Sequence, residues 1–105
     1  MGAMEFSVFV RKDDFTTTTE QAFRQAVSEA QFESGHGGYT GTIAEKQHFA
    51  LVRKDAVTAR QAQRIAQELF DGEDERVADK WGPAAALVVE DENKSGWLFF
   101  GIASY

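Results

Sequence analysis

Two apolar segments near the end of the chain constrain its fold more than any other feature. Residues 84–89 and 97–103 are apolar at nearly every position, so each segment is apolar on both of its faces, as interior β-strands are. The linker between them, residues 91–96, is polar and contains turn-forming side chains. This pattern predicts a β-hairpin of two interior strands.

The periodicity of apolar residues predicts the other strands and helices. Alternation over residues 5–11 predicts a half-buried first strand, and residues 43–53 predict a second. Helical spacing predicts two helices, which begin after capping boxes at Thr17 or Thr18 and at Thr58. The predicted helices span residues 19–33 and 59–70, and a further helical turn is predicted within residues 73–80.

The resulting order of elements is strand, helix, strand, helix, strand, strand. It predicts an α+β fold, a two-layer sandwich in which two helices cover one face of a four-stranded, mainly antiparallel sheet. With 105 residues in total, the chain is expected to form a single domain over residues 4–105. Met1-Gly2-Ala3 precede a second methionine, Met4, so we expect these three residues to be a cloning remnant.

The composition limits both the compartment and the chemistry. The chain has no Cys, which excludes disulfides, zinc–thiolate sites and a cysteine nucleophile. Its apolar runs are far shorter than the roughly 20 residues that a membrane helix needs, and it lacks the basic-then-apolar pattern of a signal peptide. We therefore expect a cytoplasmic protein.

Negative charge is concentrated in the second part of the chain. The formal net charge is −6; residues 65–105 hold nine acidic and three basic side chains, whereas residues 1–64 hold eight of each. Such a surface repels nucleic-acid phosphates and anionic membranes and favours a basic protein partner. This charge makes acidic side chains of the segment the predicted partner contacts, and Trp81 is added because Trp is enriched at binding hot spots. The predicted partner-binding residues are therefore Asp71, Glu73, Asp74, Glu75, Asp79 and Trp81. The alternative is a solvated acidic loop that Trp81 anchors to the sheet.

A glycine-rich loop is the second candidate site. Residues 35–41 hold four of the nine glycines, and closely spaced glycines let backbone amides approach an anion. Unlike phosphate-binding loops, this loop follows a helix and precedes a strand, so its alternative role is a helix C-cap and a tight connection. The predicted ligand contacts are His36, Gly37, Gly38, Tyr39, Glu45 and Lys46.

The remaining reactive side chains form no complete catalytic or metal-binding set, and no cofactor is implied. The serines lack a GxSxG context, and two histidines twelve residues apart make a poor metal site. His48 is predicted to lie on the sheet surface. The run Trp97-Leu98-Phe99-Phe100 lacks the pattern of RNA-binding sheets and has acidic flanks, so we expect it to pack in the core.

Three segments of the chain resemble a known pattern. Residues 38–46 (GYTGTIAEK), 80–84 (KWGPA) and 98–101 (LFFG) are similar to the spaced signature of small prokaryotic and phage-encoded proteins of unassigned function. The resemblance covers the chain from the first helix onward and implies no activity, cofactor or catalytic residue. It points to a phage or mobile-element accessory protein, and it suggests that the Gly-rich loop and the Trp81 junction belong to one surface.

These observations lead to three predictions of function. The first is a non-enzymatic acidic module that binds a protein with a basic surface, as a phage-type modulator of a host protein would. The second is a small-ligand or anion-binding enzyme built on residues 35–41. A concave pocket in which Tyr39, Glu45 and Lys46 converge with a perturbed titrating group would favour the second, and a flat surface the first. The third is a homodimer, because Phe9 and the two-faced apolar strands hint that one sheet face needs a cover.

Overall fold

The computed structural model describes residues 2–34 and 38–105. Its strands are β1 (Ala3–Arg11), β2 (Phe49–Leu51), β3 (Ala84–Glu90) and β4 (Ser95–Ser104). Its helices are α1 (Thr19–Ser34), α2 (Ala59–Asp71) and the short α3 (Glu75–Ala78), and Ile43–Glu45 form a 3₁₀ turn. The order predicted for strands and long helices is confirmed. Within these described residues, every helix is too short or too polar to cross a membrane.

The four strands form one mixed sheet in the order β1-β4-β3-β2. β4 pairs antiparallel with β1 and with β3, whereas β2 pairs in parallel with β3. The parallel pair is joined through α2, because parallel neighbours need a crossover connection. The α+β class and the mainly antiparallel sheet are therefore confirmed.

The two long helices lie on opposite faces of the sheet, so the predicted arrangement of both helices on one face was wrong. α1 contributes Phe23 to a hydrophobic cluster that contains Phe99, and α2 contributes Ile65 to a second cluster that contains Phe100. Because successive side chains of a strand point to opposite faces, these two clusters lie on either side of β4. The physical reason is that β3 and β4 are apolar on both faces, and each face must be shielded from water.

The position of α2 also changes the argument for self-association. Phe9, which hinted at an uncovered face, packs against the cluster that α2 covers. Both apolar faces of β3 and β4 are therefore covered within one chain, one by α1 and the other by α2. The homodimer stays a prediction, but the uncovered sheet face on which it was based is not present in the described structure.

The helix starts use the capping contacts that their sequence indicates. Thr58 Oγ1 accepts a hydrogen bond from the Gln61 N–H at 3.1 Å, and Gln61 Oε1 accepts one from the Thr58 N–H at 2.9 Å. Thr18 and Gln21 form the same reciprocal pair, with both bonds at 3.2 Å. These bonds satisfy amides that have no partner within a helix. Of the two capping boxes predicted for α1, the structure thus forms the one at Thr18.

The second strand is shorter than its apolar pattern predicted. Residues 43–45 form a 3₁₀ turn instead of a strand, because Thr42 Oγ1 accepts from the Ala44 N–H at 3.2 Å and the Ile43 carbonyl accepts from the Lys46 N–H at 2.9 Å. Ile43 is buried against the cluster that α1 covers. Lys46 consequently follows a turn, and strand alternation does not set the direction of its side chain.

The aromatic run in β4 packs in the core as predicted. Trp97, Leu98, Phe99 and Phe100 are each at most 4% exposed. The Phe99 ring centroid lies 5.7 Å from that of Phe23 on one face of the sheet, and the Phe100 centroid lies 5.9 Å from that of Phe70 on the other. No ring of this run is presented to solvent for stacking against nucleic-acid bases.

Candidate functional site

Two exposed aromatic side chains, Tyr39 and Trp81, meet on the surface of the protein. Their ring centroids lie 5.6 Å apart and the ring planes cross at 71°, the edge-to-face arrangement that aromatic quadrupoles favour. Tyr39 is 49% exposed and Trp81 is 61% exposed. The contact brings the end of the Gly-rich loop and the Trp81 junction together on one surface.

A cleft of about 400 Å³ lies beside this aromatic pair. The pairing of β2 with β3 explains how distant segments meet here: Phe49 lies opposite Ala84, and the Ala84 N–H donates to the His48 carbonyl at 2.9 Å. Residues just before these two strands are therefore neighbours at one end of the sheet. The cleft is lined by Tyr39, Glu45, Gln47, His48, Trp81, Gly82 and Pro83.

Four lining residues were not predicted to belong to a site: Gln47, His48, Gly82 and Pro83. His48 is exposed, as expected for a residue at the sheet surface. The only signal in the sequence is their place relative to the predicted strands: Gln47 and His48 fall inside the strand predicted over residues 43–53, and Gly82 and Pro83 come just before the strand predicted from residue 84. That signal says nothing about which strand ends lie together, because the parallel register of β2 and β3 is not visible in the sequence.

Lys46 is buried beside the cleft and does not offer its charge to a ligand. Its Nζ donates to the carbonyl oxygens of Asp79, Lys80 and Gly82 at 3.3, 3.2 and 2.9 Å, and the residue is 4% exposed. These bonds use all three donors of the ammonium group. Burial lowers the pKa of Lys46, and the negative charge of Asp79 opposes that shift. Lys46 thus clamps residues 79–82 to the segment that follows the 3₁₀ turn.

The turn that carries Trp81 is held by its own hydrogen bonds as well. Asp79 Oδ1 accepts from the Trp81 N–H at 2.9 Å, and the Asp79 carbonyl accepts from the Gly82 N–H at 3.0 Å. An Asp side chain commonly stabilises a turn by accepting from the backbone two residues onward. Asp79, predicted as a partner contact, therefore also positions the exposed indole.

Glu45 presents a carboxylate to the cleft from a fixed position. Its Oε2 accepts from the Thr40 N–H at 3.0 Å and from Thr40 Oγ1 at 2.9 Å. Thr40 Oγ1 is in turn 2.7 Å from Thr42 Oγ1, the group that caps the 3₁₀ turn. This network ties the residues after Tyr39 to the cleft wall. Tyr39 and Glu45, both predicted as ligand contacts, do lie together.

The predicted acidic surface lies on the end of α2, on α3 and on the residues around them. Asp71 is the last residue of α2 and accepts from the side-chain amide of Gln67 at 2.8 Å. Within the described residues, no cation forms an ion pair with four of the acidic side chains. All four are exposed to solvent: Asp71, Glu73, Glu75 and Asp79.

Asp74 differs from its acidic neighbours because it is already paired. It precedes α3, where its Oδ1 accepts from the Arg76 N–H at 2.9 Å, and it forms an ion pair with the Arg76 side chain at 2.9 Å. The hydrogen bond from the Arg76 side chain lowers the pKa of Asp74 to about 2. Asp74 therefore acts as a helix cap, and in the free protein its negative charge is paired with the positive charge of Arg76.

The described part of the Gly-rich loop makes a tight connection. Gly38 and Gly41 have φ angles of 68° and 70°, which residues with a side chain rarely adopt. The Gly41 N–H donates to the Ser104 carbonyl at 2.8 Å, which ties the loop to the end of β4. The predicted ligand contacts His36 and Gly37 lie outside the described residues.

The cleft meets part of the criterion set for a ligand pocket. Tyr39 and Glu45 line a concave surface, but the Lys46 ammonium donates its hydrogen bonds to backbone carbonyl oxygens beside the cleft. The functional groups that remain are two aromatic rings, the carboxylate of Glu45, the side-chain amide of Gln47 and the imidazole of His48. This set suits binding of a cationic or aromatic group more than binding of an anion.

Comparisons with protein-family models, with curated proteins and with solved structures find no match for this chain.

Proposed function

We propose that this chain is a non-enzymatic binding module, which recognises a protein with a basic surface. The contact face consists of the cleft between Tyr39 and Trp81 and of the acidic segment, residues 71–79. The observation that carries the proposal is the exposed Tyr39–Trp81 pair, with centroids 5.6 Å apart at the edge of a cleft. The resemblance of the sequence to phage-encoded proteins adds the proposal that the partner is a host protein.

The presentation of Trp81 distinguishes it from other exposed aromatic residues. Phe15 and Phe32 are 89% and 91% exposed, but neither lines the cleft beside Tyr39 and Trp81. Trp81 lies on a turn fixed by Asp79 and by the Lys46 ammonium. A side chain held in place before binding loses less conformational entropy when a partner covers it.

The charge of the face complements a basic partner. Asp71, Glu73, Glu75 and Asp79 are exposed and form no ion pair within the described residues. Opposite charges accelerate association and fix the orientation of two proteins more than they add affinity. The aromatic pair is therefore assigned most of the binding free energy, and the acidic segment most of the association rate.

Capture and calorimetry together test this proposal. The immobilised protein captures partners from a bacterial lysate, and the Kd of each purified partner is then measured for the wild type and for Trp81→Ala and Tyr39→Ala. We expect Trp81→Ala to weaken binding by about 30-fold or more, as at a hot spot. Phe15→Ala and Phe32→Ala remove rings that are more exposed than those of Trp81 and Tyr39, and they should change the Kd by less than about twofold. If Glu73, Asp74, Glu75 and Trp81 all become Ala in a folded variant that still captures every partner, the assignment is wrong.

The cleft also supports a second candidate, a small-ligand or anion-binding enzyme that uses the Gly-rich loop. The supporting observation is that Tyr39, Glu45 and His48 share one concave surface. Phosphate or nucleotide, added to ¹⁵N-labelled protein at about 10 mM, saturates a millimolar site. Shifts of the Gly38 and Thr40 amides would favour this candidate. Unchanged amides would leave the recognition module as the better account.

A further inference from the structure

From the geometry of the cleft we infer what enters it: an alkylammonium group, the lysine side chain of the basic partner. This inference rests on the proposed function and names the chemistry of its recognition. The inference rests on the rings of Tyr39 and Trp81, on the carboxylate of Glu45 and on the ammonium group of Lys80.

The aromatic rings supply the first part of the site. Tyr39 and Trp81 cross at 71° and both line the cleft, so their π-systems form a corner open to solvent. A ring face attracts a cation electrostatically when the cation lies within about 6 Å of the centroid, and Trp is the strongest such ring. Aromatic cages, in which several rings surround a cation, bind choline and methyl-lysine by the same attraction.

The carboxylate supplies the second part. Glu45 lines the same cleft, and Thr40 fixes it by donating two hydrogen bonds to Oε2. In the described structure Oε1 carries no hydrogen bond, so this oxygen can accept one from an ammonium N–H. The Thr40 bonds orient the carboxylate in advance, which reduces the entropy lost when a ligand is held.

The protein already contains an example of this contact. Lys80 Nζ lies 5.3 Å from the ring centroid of Trp81, so one ammonium group is held over this indole within the chain itself. Lys80 is the residue immediately before Trp81, and its side chain can move away when a partner supplies another cation. An anionic ligand fits the cleft less well, because the Lys46 ammonium is committed to three carbonyl oxygens.

The test compares two peptides that differ by one ammonium group. ¹⁵N-labelled wild-type protein is titrated with acetyl-Gly-Lys-Gly-amide and with the same peptide carrying norleucine, which has an alkyl chain but no ammonium. At about 20 mM, enough to saturate a millimolar site, the lysine peptide should shift the indole N–H of Trp81 and the amide of Glu45. The norleucine peptide should shift neither. Trp97, which is 4% exposed, reports in the same spectrum and should not move.

Variants separate the two parts of the site. Glu45→Gln keeps an oxygen for Thr40 but removes the negative charge, and it should weaken the lysine peptide by about three- to tenfold. Lys80→Met removes the internal ammonium and should strengthen binding of the same peptide. Equal shifts with both peptides, or no shift with either, would overturn the inference. If neither peptide binds while partner capture still depends on Trp81, the lysine inference fails and the recognition face stands. If partner capture does not depend on Trp81 either, the lysine inference and the proposed recognition face both fail.

Discussion

The Lys46 ammonium donates a 2.9 Å hydrogen bond to the carbonyl oxygen of Gly82, 36 residues further along the chain. This bond and two longer ones to Asp79 and Lys80 join the 3₁₀-turn segment to the turn that presents Trp81. The 3₁₀-turn segment in turn includes Glu45, which holds Thr40 next to Tyr39. One buried cation therefore connects the two sides of the cleft.

Replacing this cation should weaken both the fold and the cleft. Lys46→Met keeps the length of the side chain but removes one donor from three carbonyl oxygens, of which that of Asp79 still accepts from the Gly82 N–H. Buried groups that lose a partner cost about 1–3 kcal/mol. We expect the free energy of unfolding, measured with urea, to fall by about 2 kcal/mol. Amide exchange at Gly82 should accelerate, because its turn is released, whereas exchange at Leu98 in the core should change only as much as global stability does.

Lys54 offers the matched control for this variant. It is an exposed lysine, so Lys54→Met should change stability by less than about 0.5 kcal/mol. A Lys46→Met protein that is as stable as the wild type, with unchanged exchange at Gly82, would show that Lys46 does not hold the turn.

Two glycines of the loop should respond differently to alanine. Gly38 and Gly41 both have positive φ, at 68° and 70°, which costs an alanine about 1 kcal/mol. A Cβ at Gly38 meets no atom of the described residues within 4 Å, whereas a Cβ at Gly41 lies 3.1 Å from Met4 Sδ and from Tyr105 Cβ. We expect Gly41→Ala to lower the unfolding midpoint clearly more than Gly38→Ala does. Equal losses would mean that the packing around Gly41 is looser than described.

The separation of α1 and α2 by the sheet predicts a pattern of energetic coupling. Phe23 contacts Phe99 on one face of the sheet, and Phe70 contacts Phe100 on the other. In double-mutant cycles, Phe23→Ala and Phe70→Ala should therefore add within about 0.5 kcal/mol, because the two rings belong to separate clusters on opposite faces of the sheet. Phe23→Ala and Phe99→Leu should couple by about 0.5–1.5 kcal/mol, because their rings touch. Strong coupling between Phe23 and Phe70 would contradict the three-layer arrangement, in which the sheet lies between α1 and α2.

The pairing of Asp74 with Arg76 predicts an acid-sensitive contribution to stability. The pKa of Asp74 is lowered from 3.8 to about 2 in the folded protein, so between these values the unfolded chain binds more protons than the folded one. The ionised carboxylate therefore stabilises the fold above pH 3.8, and this contribution is lost as the pH falls toward 2.

Asp74→Asn isolates that contribution, because Asn keeps a helix-capping oxygen without the charge. The difference in unfolding free energy between wild type and variant should be steady near neutral pH and shrink toward pH 2. Asp91, whose pKa is lowered by hydrogen bonds from the Ala59 and Asn93 amides, is present in both proteins and cancels. A difference that does not change with pH would show that the Arg76 bond does not form in solution.

Local sequence signals were sufficient for the elements of this fold but not for their layering. Thr58 and Gln61 mark the start of α2 because a capping box involves only residues three apart. The sheet face that α2 covers depends on how β2 pairs with β3, and no local pattern contains that pairing. The predicted extension of the second strand over residues 43–45 was wrong, since Thr42 supplies a cap that bends the chain into a turn before β2.

The site shows the same division between local and distant information. Trp81 was predicted as a partner contact because Trp is enriched at binding hot spots, and in the structure it is 61% exposed. The role of Lys46 could not be predicted, because its three acceptors are backbone carbonyls 33 to 36 residues away. Backbone acceptors carry no sequence signature, so only the folded chain reveals that this lysine is a clamp.

Hydroxyl-radical footprinting of the wild-type protein, alone and bound to its captured partner, tests the recognition face most directly because it needs no variant. Tyr39, Trp81, Phe15 and Phe32 are all exposed in the free protein, so all four should be oxidised. In the complex we expect oxidation of Tyr39 and Trp81 to fall several-fold while that of Phe15 and Phe32 stays constant. Trp81 oxidised as fast in the complex as in the free protein would contradict the account.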